Sequence, residues 1–171
     1  MINFLPRLAD AQLLHHLDFK CPSTWIASWF GSGLIRPAPG TWGTLGGMII
    51  AAPLLYYTGA IGLFLAAIIL FIAGLWASKK FSYATATKDS SHIVIDEVVG
   101  LLITLIPAQA SISQLVIGFI LFRFFDIIKP YPIKLIERHF PNAFGVMIDD
   151  VIAGIMAGIC LLFINYFQIL S

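Results

Sequence analysis

Residues 37–78 contain no Asp, Glu, Lys or Arg, a run of 42 positions without a charge, and no water-soluble fold of this size can bury so much uninterrupted apolar chain. A membrane helix needs about 20 apolar residues, so the run is long enough for two. Thr58-Gly59-Ala60-Ile61-Gly62, near its middle, has the makeup of a turn. The pattern predicts helices over about 42–58 and 61–78 joined as a tight hairpin. The rest of the chain agrees. Of its 171 residues 59% are hydrophobic and 11% charged, against roughly a quarter charged in globular domains, and the mean hydropathy is +0.92. These values exclude both an ordinary soluble enzyme and a disordered chain. A net charge of +1 leaves no basic footprint for nucleic acid. Cys21 and Cys160 stand far apart with no metal-type spacing and read as free thiols.

Two further charge-free runs complete the plan. Residues 98–122 form a gap of 25 positions interrupted by Pro107. A single helix there would carry a mid-helix proline, which removes a hydrogen bond. It would also place Asp96 and Glu97 on the opposite side of the membrane from Arg123 and Asp126. A hairpin turning at Pro107-Ala108-Gln109-Ala110-Ser111 suits the clustering of turn residues better, with two shorter helices near 95–106 and 112–128. Residues 151–171 are uncharged again and suit a closing span. The expected fold is therefore all-α, a polytopic membrane bundle of about five short helices forming a single domain over residues 1–171. Residues 1–28 form a cytosolic or interfacial N-terminal extension, and Trp25, Trp29 and Phe30 suit the headgroup level. In this topology all ten Lys and Arg lie on one face, which the positive-inside rule assigns to the cytoplasm. The N-terminus lacks the basic-then-apolar pattern of a cleaved signal peptide.

Acidic residues at the rim of membrane helices are costly and mark function by default. Five occur in three places: Asp96 and Glu97 at the start of one helix, Asp126 at the end of the next, and Asp149 and Asp150 at the start of the last. Three helix ends on one face can converge, and carboxylates pressed together repel unless a cation neutralises them. Hard oxygen ligands without a cysteine cluster favour Mg2+. A purely structural reading would have the acids cap helix N-termini and Asp126 pair with Arg123 or Lys129 at helical spacing. Residues 31–47, with Arg36, Gly40, Thr41, Gly43 and Thr44, offer free backbone N–H groups and side-chain donors for an anion. No P-loop spacing is present, and the same glycines serve equally as helix breakers or close-packing positions. His92, four residues before Asp96, is a candidate general acid or a plain surface residue. His15, His16 and His139 have no evident partner. Lys79 and Lys80 suit a headgroup anchor, and Lys134 with Arg138 and Glu137 a solvated face.

Taken in order, four blocks resemble the phosphatidylglycerophosphatase A family of bacterial membrane lipid phosphatases. They are Phe30-Gly31-Ser32-Gly33 with Pro39-Gly40-Thr41-Trp42-Gly43, Ile93-Val94-Ile95-Asp96-Glu97 with Gly100, Phe122-Arg123 with Phe125-Asp126 and Lys129-Pro130-Tyr131-Pro132-Ile133, and Gly145-Val146-Met147-Ile148-Asp149-Asp150 with Ala153-Gly154. The resemblance runs from about Trp29 to the last helix. One departure is Ser90 after Asp89, where the family often has proline. The resemblance implies Mg2+-dependent hydrolysis of phosphatidylglycerophosphate to phosphatidylglycerol and inorganic phosphate, on the cytoplasmic face of the bacterial inner membrane. It implies that Asp96, Glu97, Asp126, Asp149 and Asp150 share the metal and that Arg36, Gly40, Thr41, Gly43, Arg123 and Lys129 hold the substrate phosphate. Water activated by the metal is the expected nucleophile, and a phosphoaspartate at Asp126 the alternative. Two rival readings use the same residues: a small membrane transporter, and a non-enzymatic membrane subunit with a carboxylate ion site. The Asp-Gly-x-x-Ala-Arg run of CDP-alcohol phosphotransferases is absent.

Overall fold

The computed structural model describes residues 17–85, 90–140 and 142–167, and among these it is entirely helical. The expectations for residues 1–16 of the extension, including His15 and His16, and for the loop at Asp89 lie outside the described residues, as do the side chains of Glu137 and Arg138. In chain order the elements are α1 (Pro22–Ala27), a 3-10 turn (Ser32–Leu34), α2 (Pro39–Thr85), α3 (Ile95–Thr104), α4 (Ile112–Ile128), α5 (Ile133–His139) and α6 (Ala143–Tyr166).

The 47 residues of α2 are two helical arms meeting at Gly59, whose backbone sits at φ 62°, ψ −151°, a region open essentially to glycine alone. A Cβ there would meet nothing within 4 Å, so the backbone angle and not space demands glycine. Gly47 in the first arm abuts Val98, and Gly74 in the second abuts Ile95. Positions on either side of Gly59 therefore lie against the same end of α3, and the chain reverses on that one residue as the turn composition predicts. The second arm runs on past Lys79 to Thr85, and Lys80 stays attached to it by lying 4.8 Å over the Trp76 ring.

Among the described residues, α2 and α6 are the two helices long and apolar enough to cross a membrane. With the two arms of α2 counted apart, helices stand at all five places expected, α3 and α4 being the two shorter ones. The ten residues of α3 rise only about 15 Å, half of a hydrocarbon core about 30 Å thick. Instead α3 forms the centre of the bundle, with Ile95, Val98, Val99, Leu101 and Leu102 fully buried, as an all-round apolar helix must be. The break at Pro107 is present, and α4 spans the residues expected of it.

Two short helices, α1 and α5, were not foreseen. Pro22 opens α1 in its first turn, where a proline costs no hydrogen bond. After α1 the chain turns through Trp29, Phe30 and Gly31 at φ 45°, 55° and 87°. This segment is tied to the approach to α3: the Val94 N–H donates to the Ala27 carbonyl at 2.9 Å, and His92 Nδ1 lies 3.0 Å from the Gly33 carbonyl oxygen. The last helix starts eight residues earlier than its charge-free run, because Asn142 Oδ1 accepts the N–H groups of Phe144 at 3.0 Å and Gly145 at 3.1 Å and so caps it at Ala143. Asp149 and Asp150 consequently lie about two turns inside α6 rather than at its start. At the other end of the bundle the Gln114 amide donates to Asn165 Oδ1, and Asn165 Nδ2 donates to the Pro107 carbonyl at 2.8 Å.

Candidate active site

The site is built on a close crossing of α3 and α6. A Cβ on Gly154 would run into the Gly100 carbonyl oxygen and lie 3.1 Å from its C and Cα, and one on Gly100 would lie 2.7 Å from the Asp150 carbonyl oxygen and run into the Phe122 ring. Only two glycines allow backbones this near. Thr104 Oγ1 donates to the Gly100 carbonyl at 2.9 Å and to that of Gly154 at 3.3 Å, fastening the contact. Asp96 and Asp150 each stand four residues, about one turn, N-terminal to the glycine on their own helix. The crossing therefore delivers both carboxylates to one place.

That place is a cavity of about 430 Å³, within the roughly 300–1,000 Å³ of small-ligand sites. Its walls come from the start of α2 (Ala38, Pro39, Gly40), the approach to and first turn of α3 (Ser90, Ser91, Ile93, Asp96, Glu97), the end of α4 (Arg123, Asp126, Lys129) and the start of α6 with the residues before it (Phe140, Asn142, Gly145, Val146, Asp149, Asp150). All five carboxylates expected from the sequence thus line one space. Asp96, Asp149 and Asp150 are only 6%, 4% and 3% exposed.

Two ion pairs close inside it: Arg123 Nη1 to Asp126 Oδ2 at 2.6 Å and Lys129 Nζ to Asp149 Oδ2 at 2.6 Å. Asp96, Glu97 and Asp150 remain, and they are the three whose oxygen atoms fall within 4.8 Å of one another. Asp96 touches Glu97 and Asp126 touches Asp150 through their carboxyl groups, contacts that repel unless a proton or a cation lies between them. Glu97 Oε2 is buried with no hydrogen-bond partner among the described residues. An orphaned buried carboxylate oxygen beside two more carboxylates is a donor set that fits a hard divalent cation such as Mg2+.

Arg123 is held from a second side by Thr44, whose Oγ1 lies 3.3 Å from Nη1 and itself donates to the Gly40 carbonyl at 2.7 Å. A Cβ on Gly40 would strike Glu97 Oε1 and sit 3.1 Å from Arg123 Nη1, so the glycine gives the acid and the guanidinium their room. Gly40 is the one member of the glycine block that lines the cavity. Gly43 is pressed against Val94 instead and serves helix packing; Thr41 and Arg36 are not among the lining residues. His92, 3% exposed, also lies outside the lining, bonded to Gly33. Lys129 adopts φ 45°, ψ 59° as the C-cap of α4. A non-glycine residue in that region costs about 1–2 kcal/mol, and such strain gathers at functional sites.

The family model of phosphatidylglycerophosphatase A matches residues 25–165, which contain every helix but the first three residues of α1 and the last of α6. The chain belongs to the phosphatidylglycerophosphatase A family. A phosphatidylglycerophosphatase A of Haemophilus influenzae is 41% identical over 157 residues, 91% of this chain and 96% of that protein. The phosphatidylglycerophosphatase A of Escherichia coli is 31% identical over 169 residues, 96% and 95% of the two chains. A Bacteroides thetaiotaomicron protein provisionally named a phosphatidylinositol-3-phosphatase is 37% identical over 137 residues, 76% of this chain and 85% of that one. No solved structure matches the chain. As a member of the phosphatidylglycerophosphatase A family the protein is a membrane-associated bacterial enzyme, a hydrolase of the lipid phosphatase type.

Ser90, noted in the sequence only as a departure from the family pattern, and Asn142, not noted at all, both line the cavity. An asparagine just ahead of an apolar run is a helix-start signal that would have located Asn142.

Proposed function

We propose that the protein is a Mg2+-dependent phosphatase that removes the terminal phosphate of phosphatidylglycerophosphate, releasing phosphatidylglycerol and inorganic phosphate. The observation that carries this reading is the imbalance inside the cavity: five carboxylates face two cations, and the three left over converge. Such a site is made to hold metal and, through the metal, a phosphate. Asp96, Glu97 and Asp150 would hold Mg2+, with Asp126 and Asp149 beside them. When bound, Mg2+ would neutralise phosphate charge and lower the pKa of a water in its reach. Arg123 and Lys129, each already on a carboxylate, would turn their remaining N–H groups to phosphate oxygens. Gly40, at the start of α2, would leave the phosphate room beside Arg123. Water adds to phosphorus in line, the bond to the glycerol oxygen breaks, and that oxygen leaves with the proton the water gives up.

The membrane setting follows the same logic. The cavity lies where α3 and α6 begin, α4 ends and α2 begins. Lys79, Lys80, Arg123, Lys129 and Lys134 all stand toward that end of their helices. The positive-inside rule puts that end in the cytoplasm, with both arms of α2, the α3–α4 hairpin and α6 in the inner membrane. The Bacteroides relative's name favours a second reading, a different lipid carrying a phosphomonoester on a polyol headgroup. The test is phosphate release by detergent-purified protein from phosphatidylglycerophosphate and, separately, from phosphatidylinositol 3-phosphate. Both are run with Mg2+, with EDTA and with Asp126→Asn. Release from the first lipid that needs both Mg2+ and Asp126 is expected. Release from the second alone would replace the substrate, and none from either by folded protein would sink the phosphatase reading.

A further inference from the structure

The charged end of the cavity accounts for a phosphate, but a phosphate with its cation fills only part of a cavity of about 430 Å³. The rest of the lining includes neutral polar groups whose hydrogen-bonding capacity is incompletely used. Asn142 Oδ1 is committed to two backbone N–H groups, which fixes the amide orientation by chemistry, since only the oxygen can accept. Asn142 lines the cavity at its exposed rim, and its NH2 group, with two donors, has no partner among the described residues. Ser90 is 6% exposed and also borders it. Its Oγ accepts the His92 N–H at a long 3.4 Å, and its own O–H donates to no acceptor among the described residues. A buried hydroxyl proton without an acceptor is costly unless a ligand or water takes it.

Position assigns these donors a role. Asn142 precedes Asp149 by seven residues along α6, a rise of about 10 Å. A backbone separation of that size is what a phosphate and the polyol headgroup attached to it would span together.

We propose that Ser90 and Asn142 are specificity-determining residues that donate hydrogen bonds to hydroxyls of a polyol headgroup, selecting lipids whose phosphomonoester is carried on a polyol over those whose phosphate is joined directly to diacylglycerol. This rests on the lipid phosphatase reading and deepens it. Arg123 and Lys129 serve any phosphomonoester; Ser90 and Asn142 serve only what lies between the phosphate and the lipid.

The experiment compares kcat/KM on phosphatidylglycerophosphate with kcat/KM on phosphatidic acid, or the latter's Ki where turnover is too slow, for the parent protein, Ser90→Ala, Ser90→Thr and Asn142→Ser. The last keeps a good helix cap while removing the amide, and Ser90→Thr keeps the hydroxyl. Ser90→Ala and Asn142→Ser are each expected to lose about tenfold on the polyol lipid, the scale of one well-made hydrogen bond, with phosphatidic acid changed less than twofold and Ser90→Thr close to parent. An equal fall on both lipids would overturn the proposal and make the residues structural or phosphate-binding, and so would no fall on either. Failure of the parent protein to act on any phosphomonoester lipid is a different result. It removes the phosphatase reading itself, and this proposal with it.

Discussion

Replacing Gly154 by alanine tests the construction of the site at its origin, one helical turn from the carboxylates and without changing any charged group. The new Cβ would collide with the Gly100 carbonyl oxygen and sit 3.1 Å from the Gly100 C and Cα. These are backbone atoms that cannot swing aside, so α3 and α6 must part by about 1 Å, a displacement that costs on the order of 10²-fold when it misplaces catalytic groups. The change in stability should be smaller. Alanine gains about 1 kcal/mol over glycine in a helix, against about 1–3 kcal/mol for overpacking, so the variant should fold. The control is Gly158→Ala, one turn further along α6, where the new Cβ would find its nearest neighbours at 3.5–3.6 Å, ordinary contact. The assay is Mg2+-dependent phosphate release together with the thermal midpoint of each purified variant. Gly154→Ala should lose about 10²-fold in kcat/KM with a modest shift in midpoint. Gly158→Ala should stay within about twofold and gain up to about 1 kcal/mol. Full activity in folded Gly154→Ala, or equal losses in both variants, would refute the claim that this crossing positions Asp96 and Asp150.

Mg2+ should raise the thermal midpoint of the parent protein, since a ligand that binds only the folded state stabilises it, and should leave that of Asp96→Asn/Asp150→Asn unmoved; equal responses in a melting titration would mean the cluster does not hold the ion. Lys129→Gly and Lys129→Ala should lose activity alike, but the glycine variant should be more stable by about 1 kcal/mol because it relieves the left-handed backbone; chemical denaturation compares the two. Gly40→Ala should lower kcat/KM about tenfold or more by crowding Glu97 and Arg123, with a misplacement well short of a full ångström sufficing, whereas Thr41→Ala should change it less than twofold. A cysteine at Gln109 should react with a membrane-impermeant thiol reagent from the periplasmic side only; labelling from the cytoplasm would overturn the proposed topology.

Much of this arrangement is legible in the chain because a membrane makes charge placement decisive. The empty stretch over residues 37–78 yields both arms of α2 and the Gly59 reversal. Pro107 yields the division between α3 and α4, and the cost of intramembrane acids singles out all five carboxylates of the cavity. What could not be read is what depends on distant contacts. The start of α6 is set by Asn142, so charge-counting placed it at 151 and left Asp149 and Asp150 at its edge. The six glycines of residues 31–47 look alike in sequence; only packing separates Gly40, against Glu97 and Arg123, from Gly43, against Val94. The left-handed backbone of Lys129 leaves no local trace, and the central, fully buried place of α3 is disguised because a buried helix and a lipid-facing one share the same apolar composition.

The polar clasp at the other end of the bundle bears on how the protein is made. Gln114 and the Pro107 carbonyl find their partner in Asn165, a residue of the last helix, which also brings Asp149 and Asp150 to the site. On the proposed topology the α3–α4 hairpin therefore enters the membrane before its buried amide and carbonyl have Asn165 to pair with, and before Lys129 meets its counterion, Asp149. Both ends of the molecule wait for the same helix. Arrival of α6 thus completes both ends at once: without it Gln114 and the Pro107 carbonyl lack Asn165 at one end, and Lys129 lacks Asp149 at the other.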